Sequence, residues 1–146
     1  MNRRLRNFYI TLTLAIWITS SGCLFFHQSS PAKLLEQSPG IIQWKTELIF
    51  GMSRKDGTTV KENEWDAFLS DVVTPRFPDG FTVLDGSGQY KNKEGQLIRE
   101  NSRIILILHP AEEPANSKLE EIREAYKKQF DQESVLRVTT VSKTSF

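Results

Sequence analysis

The sequence predicts an α+β domain with the element order β-α-β-β-α-β. Four stretches alternate apolar and polar side chains or are rich in β-branched residues, and two others repeat apolar side chains at three- and four-residue spacing. Gly, Pro, Asp and Asn fall between these stretches and mark turns. The 146 residues provide for one domain of ordinary size.

The first strand is predicted over residues 41–52 and the first helix over 61–73. Two alternatives remain for the start of the helix: Thr59 and Glu62 as a capping box, or Lys61 as a poor cap with Val60 packing on Trp65. A proline at position 75 ends the helix. The apolar stripe of the helix consists of Trp65, Phe68, Leu69 and Val72.

The remaining strands are predicted over 81–90, 96–109 and 134–142, with a hairpin turn over 92–95. Gly86 and Gly88 predict a bulge or a close backbone approach in the second strand. The second helix is predicted to begin with a capping box of Ser117 and Glu120. Together these elements form the ferredoxin-like plan, a four-stranded antiparallel sheet with both helices on one face.

The middle of the third strand indicates the character of the helix-free face of this sheet. Ile104 to Leu108 is apolar at every position, so both faces of the strand carry apolar side chains. A bare apolar centre would be adhesive in a monomer. We therefore expect the helix-free face to be covered by a second copy, by a partner protein or by the termini of the chain.

Residues 1–23 have the layout of an export signal. Three arginines precede an uncharged, mostly apolar run over 8–18, and small residues follow. Ser20-Ser21-Gly22-Cys23 is similar to a relaxed bacterial lipobox, with Ser20 where leucine is usual, and predicts lipidation of Cys23. Two alternatives stay open: an uncleaved anchor over 8–26, about long enough to span a bilayer, and cleavage near Gly22 with release. All three place the domain outside the cytoplasm, in the cell envelope or periplasm.

Residues 24–40 are predicted to be a flexible tether, since they are mainly polar and contain two Ser-Pro steps. The domain then occupies residues 41–146. The formal net charge is +1, but without the three N-terminal arginines the chain carries 16 basic and 18 acidic residues. This balance argues against nucleic-acid binding. Cys23 is the single cysteine and there are two histidines, so we predict no zinc or copper site and no cofactor.

Several short motifs are distinctive, above all the run Thr74-Pro75-Arg76-Phe77-Pro78-Asp79-Gly80. The others are Thr46-Glu47-Leu48 with Phe50-Gly51, Trp65 with Phe68, Thr82-Val83 with Asp85, Gly88 and Gln89, Glu100 with Ser102, and Gln132 with Ser134-Val135. With these motifs the domain resembles the bacterial family known as domain of unknown function 3574. The resemblance implies an exported protein or lipoprotein, and it assigns no catalytic role to any residue.

Four residues are candidate contacts for a ligand or partner: Glu47, Arg76, Glu100 and Ser102. In a cavity, burial would raise the pKa of Glu47 and suit it to acid-base chemistry, whereas the plainer alternative is an ion pair with Arg137 or Arg103. Glu100 and Ser102 share one face of their strand and could join Glu47 across the sheet.

Arg76 lies between two prolines in the loop after the first helix. A stiffened loop would hold its guanidinium ready for a carboxylate or phosphate, and the alternative is an arginine that ties loop carbonyls together. His109 is expected at the surface. A triad of Ser102, His109 and Asp85 is not supported, because Ser102 lacks the context of a nucleophile elbow.

These observations predict an exported, membrane-tethered binding module that uses its helix-free sheet face. Its expected partners are the membrane, through the N-terminal segment, and a second copy or an envelope protein, through the sheet. The alternative is a cofactor-independent small-molecule enzyme of the dimeric α+β barrel kind, with its active site in a cavity between subunits.

Overall fold

A computed structural model describes residue 33 and residues 39–91, 94–111 and 113–146. Its strands are β1 (Ile41–Gly51), β2 (Thr82–Lys91), β3 (Leu97–His109) and β4 (Leu136–Thr144). Its helices are α1 (Glu62–Phe68), which continues as a π-helical turn over Leu69–Val73, and α2 (Glu113–Phe130). The predicted order of elements is confirmed. The predicted export signal and most of the predicted tether lie outside the described residues.

The four strands form one antiparallel sheet in the order β2-β3-β1-β4. The predicted ferredoxin-like plan is therefore confirmed, with β1 and β3 in the centre. Leu48 of β1 lies beside Ile105 of β3, and both are fully buried under the helices. Because side chains alternate along a strand, this register assigns every other sheet residue to one of two faces.

The face under the helices is filled by a cluster of aromatic rings. Phe50 of β1 contacts Tyr126 of α2 edge to face, with 4.7 Å between ring centroids. The Tyr126 hydroxyl donates a hydrogen bond of 2.8 Å to the carbonyl of Gly51. Trp65 and Phe68 complete the cluster from α1 and are also buried. These contacts fasten both helices to the end of β1.

The first residues of the two helices show which of the predicted caps are present. Lys61 is the N-cap of α1, so the alternative that puts Lys61 at this position is correct and the capping box of Thr59 and Glu62 is wrong. The backbone N–H of Lys61 donates to the Glu64 carboxylate at 2.8 Å. The predicted capping box of Ser117 and Glu120 is wrong, because α2 already begins at Glu113. Pro114 explains the earlier start: in the first turn its missing N–H needs no partner.

The two glycines of β2 do not form a bulge. The ladder with β3 is unbroken from Thr82, opposite Leu106, to Lys91, opposite Leu97. The alternative of a close approach describes Gly86, where a Cβ atom would lie 2.7 Å from the Ser102 hydroxyl oxygen. A side chain at this position would therefore displace Ser102.

The opposite face of the sheet, which we term the open face, carries Lys45, Glu47 and Ile49 of β1. Its central row runs across all four strands through Val138, Glu47, Leu106 and Thr82. Within the described part of the chain no element covers it, and Leu136 is 58% exposed there. The expected cover is thus not supplied by described residues. None of the described helices is long and apolar enough to cross a bilayer.

Candidate functional site

A groove lies at one end of the open face, where β1 and β2 lack side chains. Gly51 on β1 lies beside Ser102 of β3, and Gly88 on β2 lies beside Glu100. The loop that precedes β4 forms a further wall. The groove has a volume of about 570 Å³, which is within the range of small-molecule sites.

Glu100 is held in a fixed position on the groove floor. Its Oε1 atom accepts a hydrogen bond of 3.1 Å from the backbone N–H of Ser53. A Cβ atom on Gly51 would lie 2.5 Å from the same Oε1, so the carboxylate occupies the space that glycine leaves free. Gln132 donates from Nε2 to the carbonyl of Ser53 at 2.6 Å. Ser53 is thus held by two side chains, and the loop and the carboxylate fix each other.

The cationic side chains around the groove already have partners. Arg54 donates to Glu64 at 2.8 Å, and its guanidinium lies over the ring of Phe130. Lys55 forms an ion pair with Asp131 at 3.3 Å. Arg99 donates to the side-chain oxygen of Gln89 at 3.0 Å. Among the described residues Glu100 forms no ion pair, so the floor of the groove carries an unneutralised negative charge.

The walls beside Glu100 are apolar. Ile49 and Leu136, neighbours across β1 and β4, line one side. Ile98 and Tyr90, neighbours across β3 and β2, line the other, and Tyr90 is 54% exposed. The groove therefore combines one carboxylate with an aromatic and an aliphatic surface.

The field of Glu100 also reaches the core behind the sheet. Burial raises the pKa of Tyr126, and the negative charge of Glu100 raises it further. The neutral hydroxyl is consequently the stable form and serves as a donor to Gly51. Tyr126 thus has a structural role beneath the groove.

The structure separates Glu47 from the other predicted contacts. Glu47 lies on the open face and pairs with Lys45 of the same strand at 3.2 Å. The predicted ion pair with Arg137 or Arg103 is wrong, because both arginines lie on the helix side of the sheet. There Arg137 contacts Glu120 and Arg103 contacts Glu62.

Arg76 lies at the other end of the sheet, near the end of β3. Its Nε donates to Glu121 at 2.9 Å and its Nη1 to the carbonyl of Val72 at 2.7 Å. These bonds correspond to the alternative in which the arginine ties the loop together. Of the four predicted contacts, the groove therefore brings together Glu100 and Ser102 only.

His109 is buried, contrary to the prediction of a surface residue, with 3% of its area exposed. Its Nδ1 lies 2.8 Å from the carbonyl of Pro110, an acceptor, so Nδ1 carries the proton. Its Nε2 lies 2.9 Å from the hydroxyl of Thr46. The burial of His109 could have been predicted, because residues two positions apart lie on the same face of a strand and His109 follows the buried Ile105 and Ile107 at this spacing. Ser102 lies on the opposite face, which rules out the triad.

Sequence reasoning missed Ser53 as part of the site and treated Gly51 and Gln132 only as motif residues. The roles of all three depend on contacts between segments that are distant in the sequence. Gly51 and Gln132 could have been singled out because they belong to the distinctive motifs, whereas nothing in the sequence marked Ser53. No group of three or more His, Cys, Asp or Glu side chains within the described ranges could hold a metal ion.

The fold and the groove define a ferredoxin-like α+β domain with an exposed sheet face and a polar site at its end. The chain belongs to the family described as protein of unknown function (DUF3574), whose profile matches residues 45–146. The predicted resemblance is therefore confirmed. No curated protein matches the chain.

Two solved structures share the fold. A phage SAM lyase in complex with S-methyl-5′-thioadenosine is 19% identical, with a TM-score of 0.51, and the match covers 70% of this chain and 90% of that chain. A phage SAM lyase in the apo state is 18% identical, with a TM-score of 0.53 and coverage of 75% and 96%. At this level of identity the likeness concerns the fold alone.

Proposed function

We propose that the chain is a binding module whose open face packs against a second copy of the domain. The observation that carries this proposal is the contiguous apolar surface on that face. Leu136 is 58% exposed, Leu84 47%, Val138 38% and Leu108 36%. The half-buried side chains of Ile49, Ile104 and Leu106 connect them. A patch of this kind marks an interaction site in a soluble domain.

The size of the open face suits a second copy. The shortest strand, β4, has 9 residues. At ~3.4 Å per residue and ~4.8 Å between strands, four strands present a flat area of roughly 600 Å². Side chains enlarge the accessible area towards the ~800 Å² per partner of a stable protein interface. A sheet-to-sheet pair would bury such a face in the manner of a β-sandwich.

The charges at the centre of the face also favour a second copy. Lys45 and Glu47 are the paired charges there, two residues apart on β1 and 3.2 Å from each other. A two-fold axis that lies between them in the interface brings Lys45 of one copy next to Glu47 of the other. The face is thus complementary to itself in charge as well as in apolar character.

The test compares two leucine-to-lysine variants of the full chain. Leu106→Lys places a charge at the centre of the open face, and Leu97→Lys places one on the opposite face, where Leu97 is already 51% exposed. Sedimentation equilibrium in density-matched detergent should show dimers for the wild type and Leu97→Lys. For Leu106→Lys the dissociation constant should rise by about 100-fold or more, because the charge is desolvated on pairing. If Leu106→Lys pairs as tightly as the wild type, the open face is not the interface.

A second candidate is an enzyme that acts on a small molecule in the groove. Its support is the fixed carboxylate of Glu100 beside Ser102 in a groove of about 570 Å³. The shared fold of the phage SAM lyases, one of them solved with S-methyl-5′-thioadenosine, agrees with a small-molecule site. The candidates differ in the fate of the ligand: an enzyme converts it, whereas a binding module returns it unchanged.

We also propose that the domain is exported and tethered through Cys23. The basic, apolar and small-residue segments that precede Cys23 support this location. Metabolic labelling with a fatty acid should mark the wild type and leave Cys23→Ala unlabelled. Equal labelling of both chains, or of neither, would contradict lipidation at this residue.

A further inference from the structure

We propose that the groove binds a small organic cation, an ammonium or sulfonium group carried on an apolar body. This site goes beyond the pairing of two copies. It lies past the central row, at the end of the open face, and shares Ile49 and Leu136 with the apolar surface that we propose for pairing.

The charge of the groove favours a cationic ligand. The carboxylate of Glu100 lies on the groove floor and accepts only the neutral N–H of Ser53 among the described contacts. The nearby cations Arg54 and Lys55 are paired with Glu64 and Asp131 rather than with Glu100. An incoming cation would supply the missing charge. A third cation of the lining, Arg99, belongs by its position in β3 to the other face of the sheet and donates to Gln89 there. An anion on the open face would be repelled by the Glu100 carboxylate.

The walls of the groove suit a cation that is organic. Tyr90 presents an exposed ring next to Glu100, and aromatic faces attract ammonium and sulfonium groups. Ile98 continues this wall, while Ile49 and Leu136 form the other. A strongly hydrated metal ion gains nothing from such walls. An organic cation buries its apolar body against them.

The charged group of the groove is preorganised. Glu100 is fixed by Ser53, and Ser53 is fixed in turn by Gln132. Gly51 provides the space in which the carboxylate lies. The charged group is thus already in place before a ligand arrives, which reduces the entropic cost of binding.

The test uses two pairs of probes that differ chiefly in charge. Choline is compared with its uncharged carbon isostere 3,3-dimethylbutan-1-ol, and S-adenosylmethionine with the neutral thioether S-adenosylhomocysteine. In calorimetric titration of the full chain in detergent, the cation of at least one pair should bind about tenfold more tightly than its neutral partner.

The variant Glu100→Gln tests whether the preference for the cation over its neutral partner arises in the groove. Glutamine keeps a side-chain oxygen for the N–H of Ser53 but removes the charge, so we expect the fold to persist and the preference to disappear. Glu124→Gln, on the exposed side of α2, is the control and should keep it. The proposal is overturned if neither cation is preferred, or if the preference survives in Glu100→Gln.

Titration of Leu106→Lys separates this proposal from the pairing of copies. The groove lining does not include Leu106, so this variant should retain the preference for the cation whether or not it forms dimers. Loss of the preference in this variant would show that the site is not complete within one chain, contrary to the proposal.

Discussion

At the scale of single residues, the position of the Glu100 carboxylate depends on the absence of a side chain at Gly51. Gly51 lacks the side chain that would collide with the carboxylate, and Glu100 uses the space to bind the N–H of Ser53. The contact joins residues 47 positions apart in the sequence. It connects the loop after β1 to the third strand at the point where the groove forms.

Gly51→Ala should therefore destabilise the domain, whereas Gly88→Ala should not. A Cβ at Gly51 displaces the Glu100 carboxylate, and the lost hydrogen bond to Ser53 costs about 1 kcal/mol. At Gly88 the nearest atom to an added Cβ is 3.8 Å away, an ordinary contact. Urea unfolding of both variants measures the difference. Equal stabilities would show that Glu100 is not held as described.

Single residues were also where the sequence was least informative. It placed Glu47 within the first strand, and the structure agrees. It could not identify Lys45 as its partner, because an ion pair depends on side-chain geometry rather than on spacing. His109 was predictable in principle from the parity of β3, but the following proline suggested a strand end at the surface.

Glu120 joins two elements, α2 and β4. Its carboxylate accepts from Arg137 of β4 at 2.9 Å and from Arg123 at 2.6 Å. Arg123 in turn donates to the carbonyl of Val135, just before β4. Burial opposes ionisation of Glu120, but its bonds and proximity to Arg137 and Arg123 outweigh burial and hold the pKa of the carboxyl below its usual value.

A lowered pKa in the folded state makes this contribution dependent on pH. The stabilisation is complete above the unfolded pKa, near 4.5, and is lost as the pH falls through the folded value. Glu120→Gln should lower the free energy of unfolding by about 1 kcal/mol at pH 7, since the partners are partly exposed. The difference from the wild type should shrink below about pH 4.5.

Thermal or urea unfolding between pH 7 and pH 3 measures this dependence, with Glu124→Gln as the control on the same helix. Glu124 pairs with Lys127 within α2 and should have little effect at any pH. Some acid sensitivity should remain in Glu120→Gln, because hydrogen bonds also lower the pKa of Asp56 and Glu64. A constant difference across the pH range would contradict the role of the Glu120 charge.

The elements themselves were predictable, but their ends were not. Apolar periodicity predicted every strand and both helices, because burial of one face dictates the spacing. The capping box at Ser117 was misleading, since α2 extends through Pro114 to Glu113 and Glu120 is used for contacts with β4. Local capping preferences are weak compared with such tertiary contacts.

The two sides of the sheet differ at the scale of the whole molecule. One is sealed by both helices around Phe50 and Tyr126, and the other remains open around Leu106. The apolar run over 104–108 predicted that both sides carry apolar side chains. It could not predict the cover of the open side, because alternation describes a strand and not its partner.

We propose, above all, that two copies of this domain pair through their open faces. The most direct measurement is the mass of the full-chain particle in density-matched detergent, followed over a range of protein concentrations. Pairing predicts a particle of twice the chain mass that dissociates on dilution. A single-chain mass at every concentration would contradict the account.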